Sequence, residues 1–273
     1  MKIAIIGATH GNEFTGVEVC KALAIRNKSF KNEFKTFIAN PLAYERKVRY
    51  VDSDLNRAYG ESSKPLGNEK ERSDFLKKEI IGNFDFLLDI HSTTSSMGST
   101  IILADKDLKT LRAACFIKDN FPHYRIILIA NGEDHHFTPN LTKAGLTIEV
   151  GPIANNIVKA SHVFDVLQII EALLDFDFDK DYDFAKYEAY KEIKVLKYPE
   201  GYFIHPDIDG NDFCELKVGD PLYINAKNEV ITFSHNKYDV VYPIFINEAA
   251  YLEKNISMEI CTKDKLINYI KNE

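Results

Sequence analysis

The sequence predicts an α/β fold with a mixed, largely parallel sheet, followed by a smaller β-rich C-terminal domain. Through the first two-thirds of the 273 residues, short apolar runs alternate with longer helical patterns. Such alternation is typical of parallel strands joined by crossover helices. An acidic stretch at residues 175–183 marks a change in composition, after which short runs are punctuated by proline, glycine and asparagine. We therefore predict one domain over residues 1–184 and a second over residues 185–273.

Individual elements are predicted from the spacing of apolar residues. The run Lys2–Gly7 is short and rich in isoleucine, which favours a buried strand. By the same criteria, further strands are predicted at residues 34–39, 84–90, 100–103, 124–130 and 146–150. Apolar residues recur every three or four positions, as on one face of a helix, at residues 17–25, 69–81, 108–121 and 157–176. The β-rich runs of the second domain are residues 193–198, 202–204, 221–224, 230–233 and 240–247.

Charge and apolar content exclude several classes of protein. The chain has 34 basic and 41 acidic residues, and its formal charge of −7 argues against a non-specific nucleic-acid or anionic-membrane binder. No apolar run approaches the roughly 20 residues of a membrane helix, and the first run is too short for a signal-peptide core. The four cysteines form no closely spaced pair, which is typical of reduced thiols. We expect a soluble, cytoplasmic protein without nucleic-acid or membrane partners.

Polar residues follow predicted strands at the edge where open α/β sheets place their sites. His10 and Glu13 come after the first strand, and His91 follows the run at 84–90. Imidazole and carboxylate suit zinc, and three such ligands leave one position open for water. Alternatively, Glu13 caps a helix and His91 is a hydrogen-bonded structural histidine. Asp89 either orients His91 or is a buried polar partner.

A carboxylate and a basic loop extend this set. Glu149 lies in the apolar strand at 146–150, where burying a carboxylate is costly unless it is paired or used. Near a metal it would serve as general base and then as general acid, and the alternative is a structural salt bridge. The loop at residues 46–57 carries Arg49, Asn56 and Arg57, which suit a carboxylate clamp. The alternative for this loop is a solvated segment with local ion pairs.

Five motifs follow one another from Gly7 to Lys254: GxxHGNE, NPxAxxxxxRYxDxDLNR, DIHSTTSxMG, IEVGP and VYPIFxNEAAYxEK. Together they resemble the motifs of the aspartoacylase and succinylglutamate desuccinylase family. The resemblance implies a zinc-carboxypeptidase-like, three-layer catalytic domain over 1–184 and a β-rich domain over 185–273 that restricts the active-site channel. It also implies one Zn²⁺ per chain and hydrolysis of the amide bond of an N-acyl amino acid.

The resemblance assigns a catalytic role to five matching positions. His10, Glu13 and His91 match the zinc ligands of the family. Glu149 matches the general base that activates water. Arg49 matches the arginine that polarises the scissile carbonyl and stabilises the oxyanion.

Further matches concern the substrate. Asn56 and Arg57 match the pair that binds the α-carboxylate, and Tyr251 matches a tyrosine that assists them. Asp54 resembles a structural partner within the same motif. The implied partner is a small-molecule N-acyl amino acid, and because family members are often dimers, a homodimer is a further expectation.

The chain departs from the family pattern where the substrate side chain is recognised. The arginine that holds the β-carboxylate of N-acetylaspartate is replaced by Pro139, and a later basic residue is replaced by Asn255. Candidate substitutes nearby are Lys143, Lys254, His135 and His136.

N-acetyl-L-aspartate, cleaved to acetate and L-aspartate, is the substrate that the resemblance favours. The alternatives are an aminoacylase-like deacylase of another N-acyl amino acid, a succinylglutamate desuccinylase and a ligand-binding relative without activity. The last alternative predicts loss of a metal ligand or of the base, whereas all of these residues are present.

Overall fold

The structure, a computed structural model, describes residues 1–103, 105–129 and 137–271. Within these ranges the strands are β1 (Lys2–Gly7), β2 (Glu33–Ile38), β3 (Phe86–Ser92), β4 (Ser99–Leu103), β5 (Arg125–Leu128), β6 (Gly145–Val150), β7 (Glu188–Lys197), β8 (Tyr202–Ile204), β9 (Leu216–Lys217), β10 (Pro221–Asn225), β11 (Val230–Thr232), β12 (Val240–Ile244) and β13 (Ile256–Lys265). The helices are α1 (Phe14–Ala24), α2 (Pro41–Arg46), α3 (Gly67–Ile80), α4 (Leu108–Asn120), α5 (Ala160–Leu174) and α6 (Leu266–Lys271). None of these described helices is long and apolar enough to cross a membrane.

A ten-stranded mixed sheet forms the centre of the molecule, with strand order β2-β1-β3-β6-β4-β5-β7-β13-β12-β9. Strands β2, β1, β3 and β6 are parallel, β4 is antiparallel to β6, and β4, β5 and β7 are again parallel. Beyond β5, the neighbouring strands β7, β13, β12 and β9 are antiparallel to one another. Strands β8, β10 and β11 form a separate small antiparallel sheet. The predicted α/β class with a mixed, largely parallel sheet and a β-rich C-terminal part is confirmed.

Helices cover both faces of the first half of the sheet because side chains alternate along each strand. Ile3 and Ile5 pack into one core with α1, α4 and α5. Ala4 and Ile6 point to the other face, where α3 supplies Leu76 and Ile80 to a second core. The result is the layered arrangement expected from alternating strands and helices.

The C-terminal part is joined to the first by the main sheet itself. Residues of β5 pair with residues of β7, with Ile127 opposite Tyr190. Side chains strengthen the junction, because Ile102 and Ile127 share a buried cluster with Phe213 and Phe245. The sheet therefore continues across the predicted boundary between residues 184 and 185, and that boundary stays a prediction.

The predicted elements of the first domain lie within three residues of the observed ones, apart from the end of the strand at 124–130, because residue 130 lies outside the described ranges. Two elements near the site were not predicted. Helix α2 is only six residues long and begins at Pro41, which is too short for a periodic pattern. Strand β13 is buried on both faces over residues 257–261, but Ser257 and Glu259 interrupt the apolar residues there and hide the pattern.

The end of β1 lies unusually close to α1. A Cβ atom at Gly7 would lie 2.4 Å from the carbonyl carbon of Gly16. Backbone atoms cannot move aside as a flexible side chain can, so α1 would have to shift. Glycine at position 7 thus permits the approach that sets the start of α1.

We expect Gly7→Ala to lower the free energy of unfolding by about 1–3 kcal/mol, since it overpacks the contact between β1 and α1. Urea unfolding followed by circular dichroism measures this change. The control is Ile25→Ala just after α1, where the side chain is 85% exposed and a change within about 0.5 kcal/mol is expected. Equal stabilities of the two variants would contradict the proposed close contact.

Candidate active site

His10, Glu13 and His91 converge where β1 and β3 end. His10 follows β1, Glu13 directly precedes α1, and His91 lies near the end of β3. One ligating atom from each lies within 4.8 Å of the others, and all three residues are buried. Nδ1 of His10 lies 2.6 Å from Oε1 of Glu13, and Nδ1 of His91 lies 3.0 Å from Oε2. The Glu13 side chain does not cap α1, so the helix-cap alternative is wrong.

Two aspartates hold the outer nitrogens of the histidines. Oδ2 of Asp89 lies 2.7 Å from Nε2 of His91, and Oδ1 of Asp54 lies 3.2 Å from Nε2 of His10. The hydroxyl of Thr9 donates to the second oxygen of Asp89 at 2.7 Å. Each imidazole therefore has its Nδ1 directed towards Glu13, which is the arrangement that orients metal-binding histidines in proteins. Of the two interpretations of Asp89, the structure supports the one in which Asp89 orients His91.

Electrostatic coupling within this cluster is strong. Burial opposes ionisation of Glu13, but the charges of His10 and His91 outweigh it and hold its pKa well below the usual range. Burial likewise opposes protonation of His91, while Asp89 and Glu13 raise its pKa well above the usual value. Two imidazole nitrogens and a carboxylate oxygen are a donor set that zinc accepts. The residues present thus fit a zinc ion.

Glu149 stands beside this donor set. It lies on β6 directly opposite His91 in the parallel pair of strands. Its Oε1 atom is buried and has no hydrogen-bond partner among the described residues. Burial and the nearby charge of Glu13 raise its pKa well above the usual range. Within the described part of the chain it forms no salt bridge, so the purely structural alternative finds no support there.

Arg49 reaches the site from the loop before the 3₁₀ helix Leu55–Arg57. Its guanidinium lies 3.5 Å from the Glu13 carboxylate and 3.4 Å from that of Asp54. Burial lowers the pKa of Arg49, but Asp54 and Glu13 raise it by more, so the group stays charged. The loop is held in place by the buried carboxylate of Glu69, which accepts from the amides of residues 51 and 52 at 2.8 Å each.

The predicted substrate-binding residues line the same space. Oδ1 of Asn56 accepts hydrogen bonds from the amide and hydroxyl of Thr138, at 2.9 and 3.0 Å. The guanidinium of Arg57 lies 4.5 Å from the ring centroid of Phe137. The Tyr251 hydroxyl donates to Glu259 at 2.7 Å. The structure thus brings all eight predicted site residues to one cavity: His10, Glu13, Arg49, Asn56, Arg57, His91, Glu149 and Tyr251.

Much of the remaining cavity wall is apolar. Its side chains come from both halves of the chain: Ile102, Ile129, Phe137 and Phe245. The only lysines or arginines among the described lining residues are Arg49 and Arg57.

The positions that depart from the family pattern lie elsewhere. Pro139 is buried in the 3₁₀ helix Thr138–Leu141, and the side chain of Asn255 donates to the Tyr198 carbonyl. Lys143 and Lys254 are exposed, and neither is among the described cavity-lining residues. The remaining candidates, His135 and His136, lie outside the described residues.

Sequence reasoning missed Glu248, a buried carboxylate on the cavity wall. Its Oε2 atom accepts hydrogen bonds from the hydroxyl of Thr93, from the amide of Thr94 at 2.8 Å and from the amide of Ser95 at 3.3 Å. Its other oxygen accepts from the amide of Ala250 at 3.1 Å, at the start of the 3₁₀ helix that carries Tyr251. The only sequence signal was its place in the motif VYPIFxNEAAYxEK, and the motif did not identify these partners.

Comparison with known proteins places these features in a family context. The family model described as the succinylglutamate desuccinylase/aspartoacylase catalytic domain matches residues 1–176. The AstE/AspA barrel-sandwich hybrid domain matches residues 185–263.

Relatives match along almost the whole chain. A protein of Trichodesmium erythraeum (strain IMS101) named "Probable aspartoacylase" is 34% identical, over 97% of this chain and 98% of its own length. The "N-acyl-aromatic-L-amino acid amidohydrolase (carboxylate-forming)" of Xenopus laevis is 30% identical, over 97% of this chain and 94% of its own. The crystal structure of murine aminoacylase 3 superimposes with a TM-score of 0.86 at 25% identity, covering 96% of this chain and 95% of that one.

We expect Glu248→Ala to lower the free energy of unfolding by about 2–3 kcal/mol, because several donors lose a charged acceptor. Thermal or urea unfolding of the purified variant measures the loss. Glu253→Ala is the control: among the described residues, this exposed carboxylate on the same 3₁₀ helix bonds only the Tyr50 hydroxyl, and we expect a change below about 1 kcal/mol. A similar loss in both variants would show that Glu248 does not anchor the turn after His91.

Proposed function

The chain belongs to the succinylglutamate desuccinylase/aspartoacylase family, and we propose that it uses zinc to deacylate N-acyl amino acids, with N-acetyl-L-aspartate as the first candidate substrate. It is an amide-hydrolysing enzyme, as its family membership indicates. One observation carries the zinc proposal: two histidines and a carboxylate meet in a buried donor set. Beside them lies Glu149, whose Oε1 atom has no hydrogen-bond partner among the described residues.

The cavity residues divide the chemistry between them. Zinc held by His10, Glu13 and His91 would lower the pKa of a coordinated water to about 7 and polarise the scissile carbonyl. Glu149 takes the proton from the attacking water and returns it to the leaving amine. Arg49 carries a fixed charge that stabilises the developing oxyanion.

Substrate binding rests on Arg57 and Asn56. The guanidinium of Arg57 suits bidentate contact with the α-carboxylate, and its stacking on the Phe137 ring restricts its orientation. Asn56 lies next to it in the same 3₁₀ helix, with its carbonyl oxygen already engaged by Thr138. Its amide group is therefore the part that remains for the substrate.

A second candidate is an N-acyl amino acid with an apolar or aromatic side chain. The four apolar side chains of the cavity wall favour it, since they offer contact area to such a group. N-acetyl-L-aspartate carries two carboxylates, and among the described lining residues Arg49 and Arg57 are the only lysines or arginines to meet them. The names of the relatives support both candidates.

We expect His91→Ala and Glu149→Ala to separate metal binding from turnover. His91→Ala should lose bound zinc on dialysis together with activity, because only two protein ligands remain. Glu149→Ala should keep one zinc per chain while kcat falls by about 10²- to 10⁴-fold, as expected for loss of a general base. Zinc is measured by mass spectrometry and turnover by amine release. Full zinc and activity in His91→Ala would refute the ligand set, and unchanged kcat in Glu149→Ala would refute the base.

The substrate is decided by a panel assayed with zinc-loaded protein. We compare kcat/KM for N-acetylaspartate, N-acetylglutamate, N-acetyltyrosine, N-acetylmethionine and N-succinylglutamate. A preference of about tenfold or more for N-acetylaspartate, equivalent to about 1.4 kcal/mol in transition-state binding, would support the first candidate. The same preference for N-acetyltyrosine or N-acetylmethionine would overturn it in favour of the second. In either case Arg57→Ala should mainly raise KM, because it removes a contact present before the reaction.

A further inference from the structure

A buried carboxylate that the chemistry above does not use lies behind the cavity wall. Glu259 is on β13, and only 8% of its surface is exposed. Its Oε1 atom accepts the hydrogen bond from Tyr251, whose ring lines the cavity. Its Oε2 atom is buried and has no hydrogen-bond partner among the described residues. A carboxylate in such a place costs free energy unless it has a function or loses its charge.

The surroundings of Glu259 decide its charge. On the flanking strands its register neighbours are apolar, Val195 on β7 and Ile244 on β12. Glu192 on β7 disfavours the ionised form of Glu259, whereas Tyr251 and Arg57 favour it. Burial is the largest effect, and the pKa of Glu259 is raised to about 7.

Tyr251 keeps its own proton across the same range. Burial and the neighbouring Glu259 raise the pKa of Tyr251 well above its usual value. The phenol therefore always has one proton to donate and lone pairs with which to accept. Whether the proton or a lone pair of the Tyr251 hydroxyl faces the cavity depends on the protonation state of Glu259.

The two protonation states of Glu259 have opposite consequences. An ionised Glu259 has no proton, so Tyr251 donates to Oε1 and presents only lone pairs to the cavity. A protonated Glu259 donates its own proton to the phenol oxygen, and the Tyr251 proton is free to turn towards the cavity. A substrate carboxylate accepts hydrogen bonds and cannot donate them, so only the second state offers it a bond.

We propose that Glu259 is a positioning residue that sets the direction of the Tyr251 hydroxyl, so that Tyr251 binds the substrate carboxylate only while Glu259 is protonated. This inference rests on the proposed function, because it assumes a substrate with a free carboxylate. On this proposal, specificity for an anionic substrate depends on Glu259, which acts through Tyr251 and does not itself contact the substrate.

The kinetic test is the pH profile of KM for the best substrate of the panel. For the wild-type enzyme, KM should rise about 2- to 10-fold between about pH 6 and pH 8.5, the value of one hydrogen bond of about 0.5–1.5 kcal/mol. Glu259→Gln removes the titrating group and should give a KM that does not follow this rise. Glu188→Gln is the matched control. Glu188 is an exposed residue of β7 whose carboxylate pairs with Lys263, so this variant should keep the wild-type profile.

A second measurement needs no substrate. In protein labelled with ¹³C at glutamate carboxyl groups, the resonance missing from Glu259→Gln identifies Glu259, and its midpoint should lie near pH 7. Tyr251→Phe removes a hydrogen bond that stabilises the ionised form, so the midpoint should move up. If Tyr251→Phe does not fold, Glu192→Gln serves instead, and removal of that repelling charge should move the midpoint down.

The outcomes discriminate between the inference and its premise. A flat wild-type KM, or a Glu259→Gln variant that retains the full rise, would overturn the role of Glu259 while leaving the proposed function intact. A panel without turnover would refute the proposed function alone, and the carboxyl titration would still test the pair. A Glu259 midpoint below about pH 5, or one that ignores Tyr251→Phe and Glu192→Gln, would overturn the inference by itself.

Discussion

The site depends on the balance of charge around one buried carboxylate. Glu13 lies between two imidazoles, and each imidazole is held from behind by an aspartate. Five ionisable groups in a poorly solvated space are stable only if each remains close to an opposite charge. The cluster can form only where the β1–α1 turn, the end of β3 and the loop that carries Asp54 and Arg49 come together.

The fold of the first half was predictable because its strands and helices have different periods. The eight site residues were identified from their motifs, and the sheet edge explains why His10, Glu13, His91 and Glu149 meet. Asp89, two positions before His91, was predicted as its possible partner. The contacts of Asp54 with His10 and of Glu248 with Thr94 were not predictable, because they join residues 44 and 154 positions apart in the chain. Strand β13 was not predicted for a related reason. A glutamate within an apolar run suggests a solvent-exposed position, and only its neighbours on β7 and β12 show that Glu259 is buried.

Both halves of the chain are needed for one cavity. The first half supplies the His10, Glu13 and His91 donor set, Glu149 and the two arginines, whereas the second supplies Phe245, Glu248 and Tyr251. Glu248 couples the two, since it ties the helix that carries Tyr251 to the turn after His91. The cavity is thus built by residues from both halves of the sequence.

The pairing of β5 with β7 has a consequence for how ligands enter and leave. Domains that meet only through side chains commonly swing apart about a hinge. Here backbone strand pairing also crosses the junction, from β5 to β7 and on to β13. Opening the cavity by a hinge at this junction would have to break that pairing, whereas movement of side chains and surface loops around the cavity leaves the sheet intact.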